Sequence, residues 1–460
     1  MSSPPARVST PIGSAFRWFV LAMMSLICLA QYYIYDSITP LGTLMKKELG
    51  FSGADYGLLF SFYAVANVFL FMLLLAGVLV DRLGLAVSGI LYGFLCLLGA
   101  VLTAVGAWSG LESLPTGVYR WLQEGFLPQA SPALKVMLLG RMVYGVGAEA
   151  ILVVNNKILS RWFRGKELAL AFGLNLTIMR LGTFLALNLQ APVAEAWGLG
   201  LALWFAAGVM AVGFGTFFLY LGLERLSRGR IGAPQPEGAA AAEERFVLRE
   251  AFSFHASFWF IALLCVSFYS AVFPFQAYAP DILVQKWGYS VTQAGRYTSA
   301  LIVGTMICTP IFGWLVDRKG RRATLMILGS LLLIPSHLLL GYTHLPPVVP
   351  IFAVGVALSL VPAALWAAIP LLVREERLGT AFGVVGYVQN VGLMLFPYVA
   401  GRIADAHTTV DATGRTVVDY TSTMLLFVVL GVVGLVFGLL LKWADGRRTE
   451  GRSIEAVTLT

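Results

Sequence analysis

Of 460 residues, 58% are hydrophobic and 12% charged, and the mean hydropathy is +0.80. Water-soluble domains carry about 25% charged residues, so a soluble enzyme or regulator is excluded and a membrane protein expected. The net charge of +8 does not argue for a nucleic-acid partner, because the Lys and Arg residues sit at the ends of apolar runs rather than in one patch.

Apolar stretches near the ~20 residues that a helix needs to cross the hydrocarbon core recur along the chain. They are expected at about 17–37, 56–80, 86–108, 137–160, 168–194, 199–224, 254–283, 291–316, 323–343, 348–373, 380–404 and 420–443. Without strand-like alternation they make helices, which satisfy their own backbone hydrogen bonds in lipid. The fold class is an all-α polytopic membrane protein with twelve spans. Its expected layout is a tail at 1–16, a six-helix bundle at 17–224, a linker at 225–253, a second bundle at 254–443 and a tail at 444–460. The loops after even-numbered spans, the turn between spans two and three and the tails hold most of the basic residues, so both termini are expected in the cytoplasm.

The opening "MSSPPARVSTPIGSAF" is polar and Pro-rich without an apolar leader core, so no cleaved signal is expected. Span one ends in "YYIYDS", where Asp36 is either a solvated helix end or a gate or ligand contact. "GVLVDRLG" (77–84) follows span two. In span four, "LLGRMVYGVGAEAILVVNNKILS" carries Glu149 near its middle; Arg141, nearer the outer end, is expected to tie helices together at a gate, and Asn156 is a further polar candidate. Span five holds Arg180 at similar depth in "NLTIMRLGTFLA". It also holds Asn175, the only Asn-x-Ser/Thr site, which a span keeps from glycosylation. A charged side chain at mid-membrane costs about 2.5–3.5 kcal/mol on insertion scales. Glu149 and Arg180 therefore either pair to hold spans four and five together or face a polar cavity.

After the Gly/Pro/Ala-rich segment 225–250, span seven contains "FYSAVFPF". Tyr269, Phe273 and Phe275 are aromatic cavity candidates there, and Pro274 is expected to bend the helix and free backbone near the cavity. "GWLVDRKG" (313–320) follows span eight. Trp366 in mid-span ten has an indole N–H that needs a partner, and Gln389 and Asn390 are adjacent amides in span eleven. Cys28, Cys96, Cys265 and Cys308 all fall within spans, without metal-site spacing. The four histidines lie far apart with no nucleophile beside them, so neither a metal site, a cofactor nor an enzyme activity is expected.

The two halves echo each other. "GVLVDRLG" recurs as "GWLVDRKG" at an offset of 236, and "LALAFGLNL" (168–176) as "LGTAFGVVG" (378–386) at an offset of 210; the extra loop at 109–136 accounts for the difference of 26. Stepping seven residues from Gly173 reaches Arg180, and from Gly383 reaches Asn390. The repeat is thus charged in one half and neutral in the other.

These strings resemble the major facilitator superfamily, whose signature after span two reads G-x-L-x-D-R-x-G-R-R/K; "GWLVDRKGRR" matches it in full. The resemblance implies two six-helix bundles around a central cavity with alternating access. It assigns gating to Gly77, Asp81 and Arg82 in the first copy and Gly313, Asp317, Arg318 and Arg321 in the second. "GRMVYGVGAEAILVVNNKILSRWFRGKELALAFGLNLTIMRLG", "YSAVFPF" and "LGTAFGVVGYVQNVGL" are similar to the lysosomal dipeptide transporter branch. That branch implies facilitated diffusion of small peptides, cationic ones included, by a monomer, with Glu149 receiving an amino end or basic side chain and Arg180 the carboxylate. No acidic dileucine stands in "MSSPPARVST", so a bacterial inner membrane is expected rather than a lysosome. Two other readings stay open: a carrier of small organic anions clamped by Arg180, and a non-transporting membrane scaffold.

Overall fold

The computed structural model describes residues 14–108, 111, 116–125, 127–163, 167–227, 254–374, 377–412, 416–447 and 453–455. Most of the expected N-terminal tail and of the 225–253 linker lies outside the described residues. The helices are α1 (Ser14–Asp36), α2 (Gly42–Leu49), α3 (Gly53–Phe69), α4 (Met72–Gly106), α5 (Thr116–Glu124), α6 (Pro132–Phe163), α7 (Leu168–Trp197) and α8 (Leu199–Ser227). They continue as α9 (Ala256–Trp287), α10 (Val291–Lys319), α11 (Arg322–Tyr342), α12 (Val348–Leu372), α13 (Leu378–Ala406) and α14 (Thr421–Gly446). A two-stranded antiparallel hairpin, β1 (Thr408–Val410) with β2 (Thr416–Val418), joins the last two.

Among the described residues, eleven helical stretches are long and apolar enough to cross a membrane, and the remaining crossing is divided. The sequence predicts an unbroken second span at 56–80. Instead α3 stops after 17 residues, and α4 starts at Met72, just after Phe71, whose φ of 51° is left-handed. A second break, at Gly84 with φ 79° and ψ 161°, separates the rest of that span from span three within α4. The pseudo-repeat explains the first break. Capping boxes at Ser52/Asp55 and Ser290/Gln293 start α3 and α10 alike, and Gly57 and Gly295 stand five residues on. From Gly57 to the signature Gly77 is 20 residues, whereas from Gly295 to Gly313 is 18. The two extra residues fall in the stretch that breaks at Leu70–Phe71, while α10 runs on without interruption. In span seven, α9 continues as one helix through Pro274 and Pro280, each of which leaves the carbonyl four residues before it without its helical donor.

The halves meet at the end opposite the termini, called here the far side. Helix pairs in lipid gain little from apolar burial and rely on close packing and hydrogen bonds. Here α3 packs on α13 and α10 on α7. A Cβ on Gly57 would overlap the Pro397 carbonyl, and one on Gly295 would overlap the Leu187 carbonyl. Leu187 and Pro397 are 210 residues apart, the offset of the second sequence echo, so the two contacts are repeat images of each other. Residues from both halves, among them Leu41, Tyr56, Leu187, Tyr278 and Ile282, join one apolar core at this end, whereas a second core is built almost wholly by the N-terminal half, with Leu393 of the second half joining it. At the termini side, Ser453–Glu455 docks on the second half: Ile454 is fully buried, Glu455 accepts from the Thr324 amide at 2.7 Å, and Asp445 accepts from Ser453 Oγ at 2.6 Å.

Candidate functional site

A cavity of about 200 Å³ lies between the halves. Helical periodicity sets its walls. Gln31, Tyr32, Tyr35 and Asp36 share one face of α1; Glu149 and Leu152 are one turn apart on α6, as are Arg180 and Thr183 on α7 and Gln389 and Leu393 on α13. Tyr63 of α3 and Phe273 of α9 complete the lining.

Glu149 and Arg180 face this one space, and among the described residues no ion pair joins them. Glu149 Oε1 accepts the Tyr63 hydroxyl at 2.8 Å. The Arg180 guanidinium lies over the Tyr32 ring, 5.8 Å from its centroid, a cation–π contact that leaves its N–H edge for other acceptors. Asp36 is the second carboxylate. It is 3% exposed, and its Oδ1 accepts from Gln276 Nε2 at 2.8 Å and from Thr39 at 3.3 Å. Gln276 belongs to the second half, so this bond bridges the two bundles. Gln31 adds an acceptor: its amide nitrogen is held by the Ala148 carbonyl, and its Oε1 is buried without a partner among the described residues.

The other sequence candidates fall behind, beside or outside the cavity wall. The Trp366 indole donates to Tyr269 Oη at 3.2 Å, and Tyr269 stacks on Phe273 at 5.6 Å, so Trp366 and Tyr269 back Phe273. Asn390 is buried between helices, donating to the Gly386 carbonyl at 3.0 Å and accepting from Asn67 of the other half at 3.3 Å. Asn156 is exposed, two turns from Glu149 on the same helical face. Arg141 is 1% exposed and donates to the carbonyls of Leu59, Ile34 and Tyr35, tying α6 to α1 and α3 within the first half. The signature residues make no contact across the halves among the described residues. Asp81 pairs with Lys157 of its own half, Arg318 lies over Trp314 of its own helix, and Arg82 and Asp317 are exposed. Gly77 and Gly313 face open space, and Arg321, left-handed at φ 46°, donates its amide to the Glu455 carbonyl at 3.0 Å.

The far-side closure contains groups that sequence reasoning passed over. Lys46 pairs with Asp281 at 2.7 Å across the halves, and Thr43 and the Tyr420 hydroxyl also donate to that carboxylate. Asp405 of α13 accepts the amides of Gly53 and Ala54 at 2.5 and 2.8 Å, so the second half satisfies the first turn of α3. Tyr278 donates to the Gly53 carbonyl at 2.7 Å, and Tyr56 to that of Ala277 at 2.9 Å.

Two six-helix bundles joined at one end around a central, charged cavity are the architecture of an alternating-access carrier, and the family comparison agrees. The sequence profile of the Major Facilitator Superfamily matches residues 21–285 and 269–456. The chain belongs to the major facilitator superfamily. Among its relatives, the lysosomal dipeptide transporter MFSD1 of Danio rerio is 27% identical over 453 residues, covering 96% of this chain and 90% of the relative. That of Bos taurus is 29% identical over 451 residues with coverage of 96% and 90%, and that of Homo sapiens 28% with 96% and 91%. Solved structures share the transporter's fold. A bacterial homologue of the human lysosomal transporter Spinster, inward-facing and unoccupied, superposes with a TM-score of 0.71 at 17% identity, covering 94% of this chain and 98% of that one. A mutant of the nucleoside transporter NupG gives 0.70 at 15% identity, with 92% and 99% covered.

Proposed function

We propose that this transporter carries dipeptides, cationic ones included, as a uniporter, binding the peptide amino end at Glu149 and its carboxylate at Arg180. The observation that carries the reading is that these two side chains face one cavity without pairing. A zwitterion offers one charge of each sign, and each charge-assisted hydrogen bond contributes about 1.5–3 kcal/mol. The relatives named as dipeptide transporters support the same substrate class. An organic-anion carrier fits less well, since the lining holds two carboxylates, Glu149 and Asp36, against one guanidinium, Arg180. We place the termini in the cytoplasm of a bacterial inner membrane, on the strength of the basic loops on that side, and take the closed far side as the outer gate. Asp81–Arg82 and Asp317–Arg318 then serve as inner locks that engage when the carrier turns outward.

The test is uptake of labelled Ala-Ala and Lys-Ala into proteoliposomes, with and without a pH gradient. Saturable uptake that ignores the gradient and falls by at least about tenfold in Arg180→Ala is expected. Folded protein that leaves both dipeptides outside while moving small monocarboxylates would overturn the proposal in favour of the anion reading.

A further inference from the structure

Asp36 is a buried carboxylate with no ion-pair partner among the described residues. It lines the cavity beside Thr183, at the end of α1 next to the far-side closure. The charged groups acting on it from neighbouring helices are the Arg180 and Arg141 guanidinia. Arg141 is occupied by three carbonyls, and Arg180 is the group that the proposed function gives to the peptide carboxylate. When a zwitterion takes up Glu149 and Arg180, Asp36 is left as a surplus negative charge in a space that excludes most water. A buried charge of this kind is costly unless something pairs with it. Its present donors, Gln276 and Thr39, are neutral.

We infer that Asp36 is the specificity-determining residue for a basic side chain, receiving the ammonium or guanidinium of a Lys- or Arg-containing dipeptide. The inference rests on the dipeptide reading above. Its position adds a consequence. The carboxylate that would receive the cation is the one whose Oδ1 Gln276 holds across the halves, so this specificity group sits on the contact between the bundles.

The experiment compares Lys-Ala with Ala-Ala uptake in proteoliposomes holding wild type, Asp36→Asn, Asp36→Glu or Gln276→Ala. Asp36→Asn keeps the shape and an acceptor oxygen for Gln276 but removes the charge. It is expected to lower the Lys-Ala to Ala-Ala ratio of uptake efficiencies by at least about tenfold, the effect of losing one charge-assisted contact. Asp36→Glu restores the ratio, and Gln276→Ala leaves the preference for Lys-Ala intact. An equal fall for both peptides in Asp36→Asn, or no change in either, overturns the inference and leaves the dipeptide reading standing. Wild type that transports neither peptide overturns the dipeptide reading and this inference with it.

Discussion

At the scale of single residues, the cost of charge in lipid made the site legible. Glu149 and Arg180 stand out in the sequence because nothing apolar near them needs a charge, and the structure places both on one cavity. Sequence could not tell whether they pair, since depth alone does not fix helix rotation; the structure gives Glu149 to Tyr63 and Arg180 to the Tyr32 face. Tyr63 and Tyr32 were invisible for a related reason, because tyrosines in spans are ordinary packing residues. Asp281 did carry a signal, as an acid inside an apolar run, but its partner Lys46 lies 235 residues away and reads as a loop charge. The Tyr63–Glu149 bond yields a prediction. Tyr63→Phe removes the donor that orients Glu149, and the concentration of dipeptide giving half-maximal uptake should rise by about tenfold, consistent with ~1.5 kcal/mol for a bond to a charged group. Concentration-dependent uptake by the variant measures it, and an unchanged value would mean that Tyr63 plays no part in substrate recognition.

At the scale of elements, helix number and fold class follow from apolar run length, and the repeat from two sequence echoes. The break at Leu70–Phe71 did not show, because neither a proline nor a glycine marks it; only the comparison of 20 with 18 residues between paired glycines betrays it. The docked segment Ser453–Glu455 was equally hidden, since three residues in a polar tail have no periodicity. Two predictions belong here. Gly57→Leu puts a side chain where the Pro397 carbonyl lies, so α3 and α13 cannot close. Labelling of a cysteine placed at Leu393 in the cavity wall, by a membrane-impermeant thiol reagent added from the far side, should then rise in a variant that still inserts, whereas unchanged labelling would refute the close-packing argument. Ile454→Asp places a charge in a fully buried site and should detach the segment, lowering the melting temperature of the purified protein. The loss of stability comprises the ~1.5–3 kcal/mol that burial of one aliphatic side chain contributes and the bonds made by Glu455 and Asp445.

At the scale of the whole molecule, the two bundles are joined through a glycine-lined, ion-paired far side and are free of each other at the signature turns among the described residues. Removing one partner of a buried ion pair costs about 3–5 kcal/mol because the other charge is stranded. Lys46→Met should therefore weaken the far-side closure and populate the oppositely facing state. A cysteine at Leu393, in a background with the native cysteines replaced, reports this: labelling by a membrane-impermeant thiol reagent added from the far side should rise in Lys46→Met and stay low without it.

The central claim is that one cavity reads both ends of a dipeptide, the amine through Glu149 and the carboxylate through Arg180. Its most direct test is competition against labelled Ala-Ala uptake by Ala-Ala, its N-acetyl form and its C-terminal amide, in wild type, Glu149→Gln and Arg180→Ala. In wild type each blocked peptide should compete at least about tenfold less well than Ala-Ala. Arg180→Ala, to whatever extent it still takes up label, should no longer distinguish the amide, and Glu149→Gln should no longer distinguish the acetylated form. Variants that discriminate both blocked peptides as wild type does would contradict the assignment.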